Sequence, residues 1–271
     1  MIDLHPDAFA QLLPLLEGIA ANHLFVRSVL ERQVDGRVLV DRPERPWLAY
    51  VIHPYGMTFL LAGEAQVDSA LLKASLPECR GAQDQWMQVS PQIPASLLDE
   101  FLDASNVPDQ PPGGARVQRY TRANFRFNPS RYAAWRTSLP PLAGCTPRPM
   151  RAEDFALPDI GVSPHCFWRD AGQFLAHGGG WCIERSGEVL SMAFTSFRFD
   201  AQLEIGIETR AAHRRQGYAL HAARAFLDQC VAQALEPVWA CRKENTGSYE
   251  LAKTLGFDPT LELPYYRLPA V

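Results

Sequence analysis

One stretch constrains the fold more than any other. "LEIGIET" (Leu203 to Thr209) alternates in the manner of a strand, and "RAAHRRQGYALHAARAFL" follows it. The second segment opens with arginines and a glycine, then continues with apolar residues three and four apart. Leu220, Ala223, Leu227, Cys230, Val231 and Ala234 define one apolar helical face. A strand that passes through a glycine turn directly into a helix belongs to a mixed α/β architecture. The turn also has a chemical meaning. The first N–H groups of a helix lack partners and carry about +0.5 of a charge, which makes a seat for phosphate. Gly217 lets the backbone approach a ligand closely, Ala219 is small, and Arg214 and Arg215 add local charge.

The surroundings extend this grammar. "WCIER" and "VLSMAFTSF" are strand-like runs joined by "SGE", and "FDAQ" leads into "LEIGIET", so three antiparallel strands precede the turn. Pro237 is expected to stop the helix. "VWAC" reads as a short buried strand, "SYELAKTL" as a helix capped by Gly256, and "ELPYYRL" as the last strand. The first half repeats part of the pattern. A helical period over "FAQLLPLLEGIAANHLFVRSVLERQ", broken near Pro14 and Gly18, precedes the strands "RVLVD", "WLAYVIHP" and "MTFLLAG". There "EAQVDSALL" follows without an arginine–glycine turn. Proline-rich stretches at Val107–Gly114 and Leu139–Pro149 punctuate the chain. We draw a domain boundary at the second, giving 1–143 and 144–271.

Composition narrows the function. The 271 residues include 26 Lys and Arg against 30 Asp and Glu, a net negative charge that does not favour nucleic acid. The amino terminus has no basic run before its apolar part, and no apolar run is long enough to span a membrane. Six scattered cysteines without a C-x-x-C pair point to buried thiols in a cytoplasmic protein, not to a metal or a disulfide framework. A P-loop is absent, and Gly178-Gly179-Gly180 precedes a strand where a dinucleotide fingerprint would open a helix.

"RRQGYA" fits [RQ]-x-x-G-x-[GA], and "ENTGSYELAKTLGF" fits N-x-x-[AS]-x-x-L-x-x-x-L-G-F. With the strand and helix between them, these segments resemble the GCN5-related N-acetyltransferases (GNAT) over roughly residues 146 to 268. The wider pattern looks most like the two-domain branch that includes zwittermicin-resistance-type acetyltransferases. The resemblance implies a mixed, mostly antiparallel sheet flanked by helices, with a degenerate GNAT-like first half. It implies acetyl-CoA as cosubstrate and no metal. It places the pyrophosphate on Arg214, Arg215, Gln216, Gly217, Tyr218 and Ala219, and the pantetheine arm on Ile207, Thr209, Asn245 and Ser248. Asn245 and Ser248 also suit the cap of the following helix. Glu204 and Glu208 share one strand face and are the candidates for catalytic base, Glu204 first; an ion pair or a solvated position is an equally good account of either. Ala252 stands where many relatives carry a tyrosine acid, and Tyr249, Tyr265 and Tyr266 are not direct replacements. The expected reaction is transfer of acetyl to a primary amine of a small molecule or peptide. A non-catalytic CoA-binding module and the use of another acyl-CoA are the competing readings, and a homodimer is left open.

Overall fold

A computed structural model describes residues 1–63, 68–106 and 116–271. The proline-rich stretch at 107–114 and the start of "EAQVDSALL" lie outside the described residues. The chain forms two compact units. Unit 1 comprises Met1–Ala123, Arg242–Glu244 and Glu262–Val271, and unit 2 comprises Asn124–Cys241 and Asn245–Leu261. The strands Gln118–Phe127 and Phe257–Leu268 therefore each contribute residues to both units.

In unit 1 the strands Arg37–Val40, Leu48–Ile52 and Met57–Ala62 form the expected meander. The pairs Val38↔Val51 and Tyr50↔Leu60 set its antiparallel register. Met57–Ala62 then pairs in parallel with Gln85–Val89, through the intervening helix Ser69–Ser75. The carboxy-terminal strand adds antiparallel pairs such as Tyr266↔Met87. One face of this sheet packs Leu48, Tyr50, Leu60 and Met87 against Leu72, Leu76 and Leu98; each such side chain contributes about 2 kcal/mol on burial. The first helical segment differs from its periodic reading. Pro6–Leu16 is a 3-10 helix, and a separate α-helix runs over Leu24–Leu30. Apolar spacing of three serves either geometry, and the internal Pro14 removes an N–H group that α-helical pairing would use.

Unit 2 is built around Gly180–Arg185, Glu188–Phe199 and Gln202–Thr209, all antiparallel. Ser186 and Gly187 turn the first hairpin with positive φ, and Asp200 does so at the second. Thr146–Pro149, the end of the second proline-rich stretch, is an edge strand on Gly180–Arg185, where missing proline donors are tolerated. The helix Tyr218–Ala232 buries Ala222, Ala223, Phe226, Leu227 and Cys230 on one face of the sheet. Trp181 reaches it through Nε1 to Gln229 Oε1 at 2.6 Å. On the other face Phe194 meets Phe167 and Phe174. Pro237 does not stop the helix. It ends at Ala232, with Gln233 as its cap and Ala234 at φ 52°, and Leu235 donates back to Cys230 O at 2.9 Å. Pro237 instead lies inside the strand Glu236–Arg242, opposite Leu203.

The helix Thr246–Thr254 closes as expected. Gly256 has φ 85°, and a Cβ on it would stand 2.8 Å from Tyr132 N, so both conformation and crowding demand glycine. The six cysteines are free thiols, four of them buried. Among the described residues no helix is long and apolar enough to cross a membrane.

Candidate cofactor cleft

The arginine–glycine turn leaves five consecutive donors open. Among the described residues, the backbone N–H groups of Arg215, Gln216, Gly217, Tyr218 and Ala219 have no acceptor. Gly217 is the N-cap residue in the left-handed region (φ 84°), offers no side chain, and is exposed. Arg215 also has positive φ (59°). Backbone bent in this way gathers successive N–H groups into an anion-binding concavity, here at the head of a helix of 15 residues. The hypothetical Cβ of Gly217 meets nothing within 4 Å, so the seat is open toward solvent.

The turn is tied to the end of the strand before it. Arg214 Nε donates to Thr209 O and Nη2 to Glu208 Oε1, both at 3.2 Å. The same Glu208 oxygen accepts the Thr209 N–H at 2.9 Å, and the Thr209 hydroxyl bonds Ser191 Oγ at 2.8 Å. The two arginines thus divide their work: Arg214 braces the strand end, and Arg215 stays exposed. A third cation, Arg185, escaped the sequence reading. It donates to the Tyr218 hydroxyl and lies over that ring, 5.4 Å from its centroid. Only the register between a hairpin end and a helix start places it there, and no local spacing reports that.

Beside the turn the sheet opens. Gln202–Thr209 pairs in parallel with Glu236–Arg242 only at Gln202↔Glu236, Leu203↔Pro237 and Glu204↔Val238. Among the described residues, the edge from Ile205 to Thr209 turned away from Glu188–Phe199 has no strand partner. On the far side Trp239 Nε1 donates to Ser248 Oγ at 3.2 Å, and Asn245 Oδ1 accepts the Ser248 N–H at 3.3 Å. Asn245 therefore caps its helix, the alternative its position also suited, and this leaves its amide nitrogen unused among the described residues. A slot with backbone donors and acceptors on one wall, ending at five free N–H groups, fits a thin amide-containing arm with a pyrophosphate at its end. The residues present fit CoA.

The two candidate carboxylates have different surroundings. Glu204 is buried (7% exposed) at the last paired position before the opening. Opposite it the Glu188–Phe199 strand shifts register between Thr195 and Phe197. Glu208 is engaged by Arg214 and by the backbone. A Cβ on Gly161 would lie 3.2 Å from its Oε2, so the segment around Gly161 runs over it. Both carboxylates lie on the Phe194 face, away from the long helix. Gly206 between them faces Phe194 so closely that a Cβ would stand 2.6 Å from the ring. Ala252 is fully buried. Tyr249, one turn earlier, packs edge-on against Phe125 at 5.1 Å. In unit 1, Tyr265 stacks on Trp86 and the Tyr266 hydroxyl donates to Asp99 at 3.0 Å.

A family model described as GNAT acetyltransferase matches residues 146–266. That segment is a GNAT acetyltransferase domain. Solved structures share the GNAT fold over nearly the whole chain. A GCN5-related N-acetyltransferase-like protein from Streptococcus suis is 21% identical, with a TM-score of 0.69 over 97% of this chain and 99% of that one. A tandem GNAT protein from the clavulanic acid biosynthesis pathway is 12% identical, with a TM-score of 0.65 over 100% and 98%. A GCN5-related N-acetyltransferase from Kribbella flavida is 17% identical, with a TM-score of 0.58 over 92% and 93%. None of the curated proteins matches the chain. The GNAT fold is mixed and mostly antiparallel as expected, and the tandem neighbour supports the reading of two halves.

Proposed function

We propose that this chain is an acetyl-CoA-dependent N-acetyltransferase that acetylates a primary amine of a small molecule or peptide by direct attack. The observation that carries the reading is the run of five unpartnered N–H groups at the mouth of the opened strand pair. Acetyl-CoA supplies a thioester whose carbonyl carbon the amine attacks, the C–N bond forming as the C–S bond breaks. The chain's residues do the rest. The Arg215–Ala219 backbone holds the pyrophosphate, with Arg215 and Arg185 adding charge. Ile207 and Thr209 pair with the arm through their backbones, and Asn245 and Ser248 line the opposite wall. A backbone N–H near Ile207 polarises the acetyl carbonyl.

Glu204, buried at the last paired position before the opening, is the first candidate to take the ammonium proton, directly or through water, and Glu208 the second. Ala252 favours a second reading, CoA binding without turnover, because its buried methyl donates no proton to a leaving thiolate. An amine panel with acetyl-CoA separates the two, and competition by other acyl-CoA esters tests the acyl group.

The first experiment is calorimetric titration of acetyl-CoA into wild type, Gly217→Ala and Gly217→Glu. We expect micromolar binding to wild type, a modest loss in the alanine variant from φ strain alone, and at least a hundredfold loss (about 2.7 kcal/mol) in the glutamate variant. Wild type that binds no acetyl-CoA, or Gly217→Glu that binds as well as wild type, overturns the proposal.

A further inference from the structure

In unit 1, a cationic side chain is held with no anionic partner among the described residues. The Arg242 guanidinium carbon lies 5.1 Å from the Trp86 ring centroid and 5.3 Å from that of Tyr120. Those two rings are 5.5 Å apart and inclined at 49°, so they form a wedge against the guanidinium. Tyr265 extends the aromatic floor, 5.0 Å from Trp86, and Arg122 lies over Tyr265 at 5.2 Å. Arg242 makes no hydrogen bond or ion pair among the described residues. Other half-buried or buried arginines do: Arg148 with Asp154 and Glu184, Arg119 with Asp99, Arg267 with Asp84 and Gln118.

Glu244, two residues on, does not neutralise it. Its Oε1 accepts the Thr121 N–H at 3.0 Å, while its Oε2 is buried without a donor. Around Tyr120 the charges of Arg242 and Arg267 stand against that of Glu244 alone, and Arg267 is already paired with Asp84. Aromatic contact uses the faces of a guanidinium and leaves its N–H donors at the edge, in the planar fork that matches a carboxylate bidentately.

We propose that Arg242 anchors a binding site for a small carboxylate in unit 1, with the part-exposed Trp86 beside it for the body of the ligand, while the buried Tyr120 and Tyr265 hold the guanidinium and the indole in place. The site is independent of acetyl-CoA binding in unit 2. A flat carboxylate with an apolar body suits it best, because it satisfies the fork and lies against Trp86. Inorganic phosphate offers no apolar body.

The test is calorimetric titration of benzoate into the full-length protein. Saturable binding is expected in wild type and in Gly217→Glu, so the site can stand even if the cofactor reading fails. Arg242→Gln should weaken benzoate at least tenfold (about 1.4 kcal/mol) with an unchanged melting temperature. Arg242→Lys should lose nearly as much, because an ammonium cannot replace the fork. Should Arg242→Gln not fold, Trp86→Leu keeps the cation, removes part of its wedge, and should weaken binding several-fold. Absence of saturable benzoate binding overturns the proposal. So does full affinity in a folded Arg242→Gln protein, or displacement of benzoate by an equal concentration of phosphate.

Discussion

The same element sequence, strand–helix–parallel strand, occurs once in each unit, and the two copies finish differently. In unit 2 the parallel pair separates after Glu204↔Val238. In unit 1 it stays together from Met57↔Trp86 to Leu60↔Val89. Ser90 then fastens the end, its N–H donating to Leu60 O at 2.9 Å and its Oγ accepting the Ala62 N–H at 3.0 Å. The helix starts diverge in the same sense. The unit 1 helix has seven residues, and Asp68 Oδ1 already accepts the Ala70 and Leu71 N–H groups at 3.0 and 3.1 Å. The unit 2 helix has Gly217 at the equivalent place and leaves its donors open. One copy satisfies its own helix terminus with a carboxylate; the other keeps that terminus for an outside anion. A shared fold therefore does not imply a shared ligand site, since capping and strand separation decide it locally.

Amide hydrogen exchange with and without acetyl-CoA gives the largest contrast between the copies. Saturating acetyl-CoA should slow exchange at Arg215–Ala219 and Ile205–Thr209 at least tenfold, and leave Met57–Ala62 and Ala70–Leu71 unchanged. Equal protection in both units would mean that the closed copy also binds the cofactor, and the contrast would fail.

Much of this contrast is legible in the sequence, and the illegible part has a pattern. The meanders follow from alternation and from Ser186-Gly187 and Asp200, since a turn residue and a period-two run are local signals. Gly217 and the arginines report the open helix start, because donor supply and φ > 0 are properties of a few neighbouring residues. The separation after Glu204 is a register between strands joined by the 26 residues 210–235, and nothing near Glu204 encodes it. The same holds for the clamp at Ser90 and for Arg185 over Tyr218. Glu204 and Glu208 look equivalent in the alternating strand, and only tertiary neighbours distinguish them. Pro237 misled because a proline ends helices by rule, whereas here the αL residue Ala234 had already ended it.

Acid should separate the units next. His53 in unit 1 is fully buried, and burial pulls its imidazole down to about 4. Its Nδ1 accepts the Tyr55 N–H at 3.1 Å, which fixes a neutral ring. The unfolded chain takes up that proton near pH 6.5 and the folded unit does not until about pH 4. Stability is therefore full above 6.5 and falls as pH drops toward 4, by roughly 3 kcal/mol. Among the described residues unit 2 has no histidine buried to the same degree. Exchange at Phe59 should accelerate across this window more than exchange at Phe194, and His53→Leu should abolish the difference. A smaller effect should follow from Ser90→Ala, which strands a buried Ala62 N–H at a cost of about 2 kcal/mol. Its signature is faster exchange confined to Ala62 and its neighbours. If exchange there is unchanged, the closure of the unit 1 pair does not depend on Ser90.

The finest test concerns what keeps the open copy shaped. Glu208 joins Arg214 to the strand end, and Arg214 leads the turn, so the carboxylate acts on the cofactor seat through geometry. Glu208→Gln keeps an oxygen for the Thr209 N–H but removes the charge that holds Arg214. The pair is partly exposed on the arginine side, which limits its worth to about 1 kcal/mol or less. We expect acetyl-CoA affinity to fall no more than about fivefold, with maximal turnover on any accepted amine unchanged. The opposite result, normal affinity with turnover reduced a hundredfold or more, would make Glu208 the base and return Glu204 to a structural role. A binding titration beside one saturating turnover measurement decides between them, because a strut and a base fail in different constants.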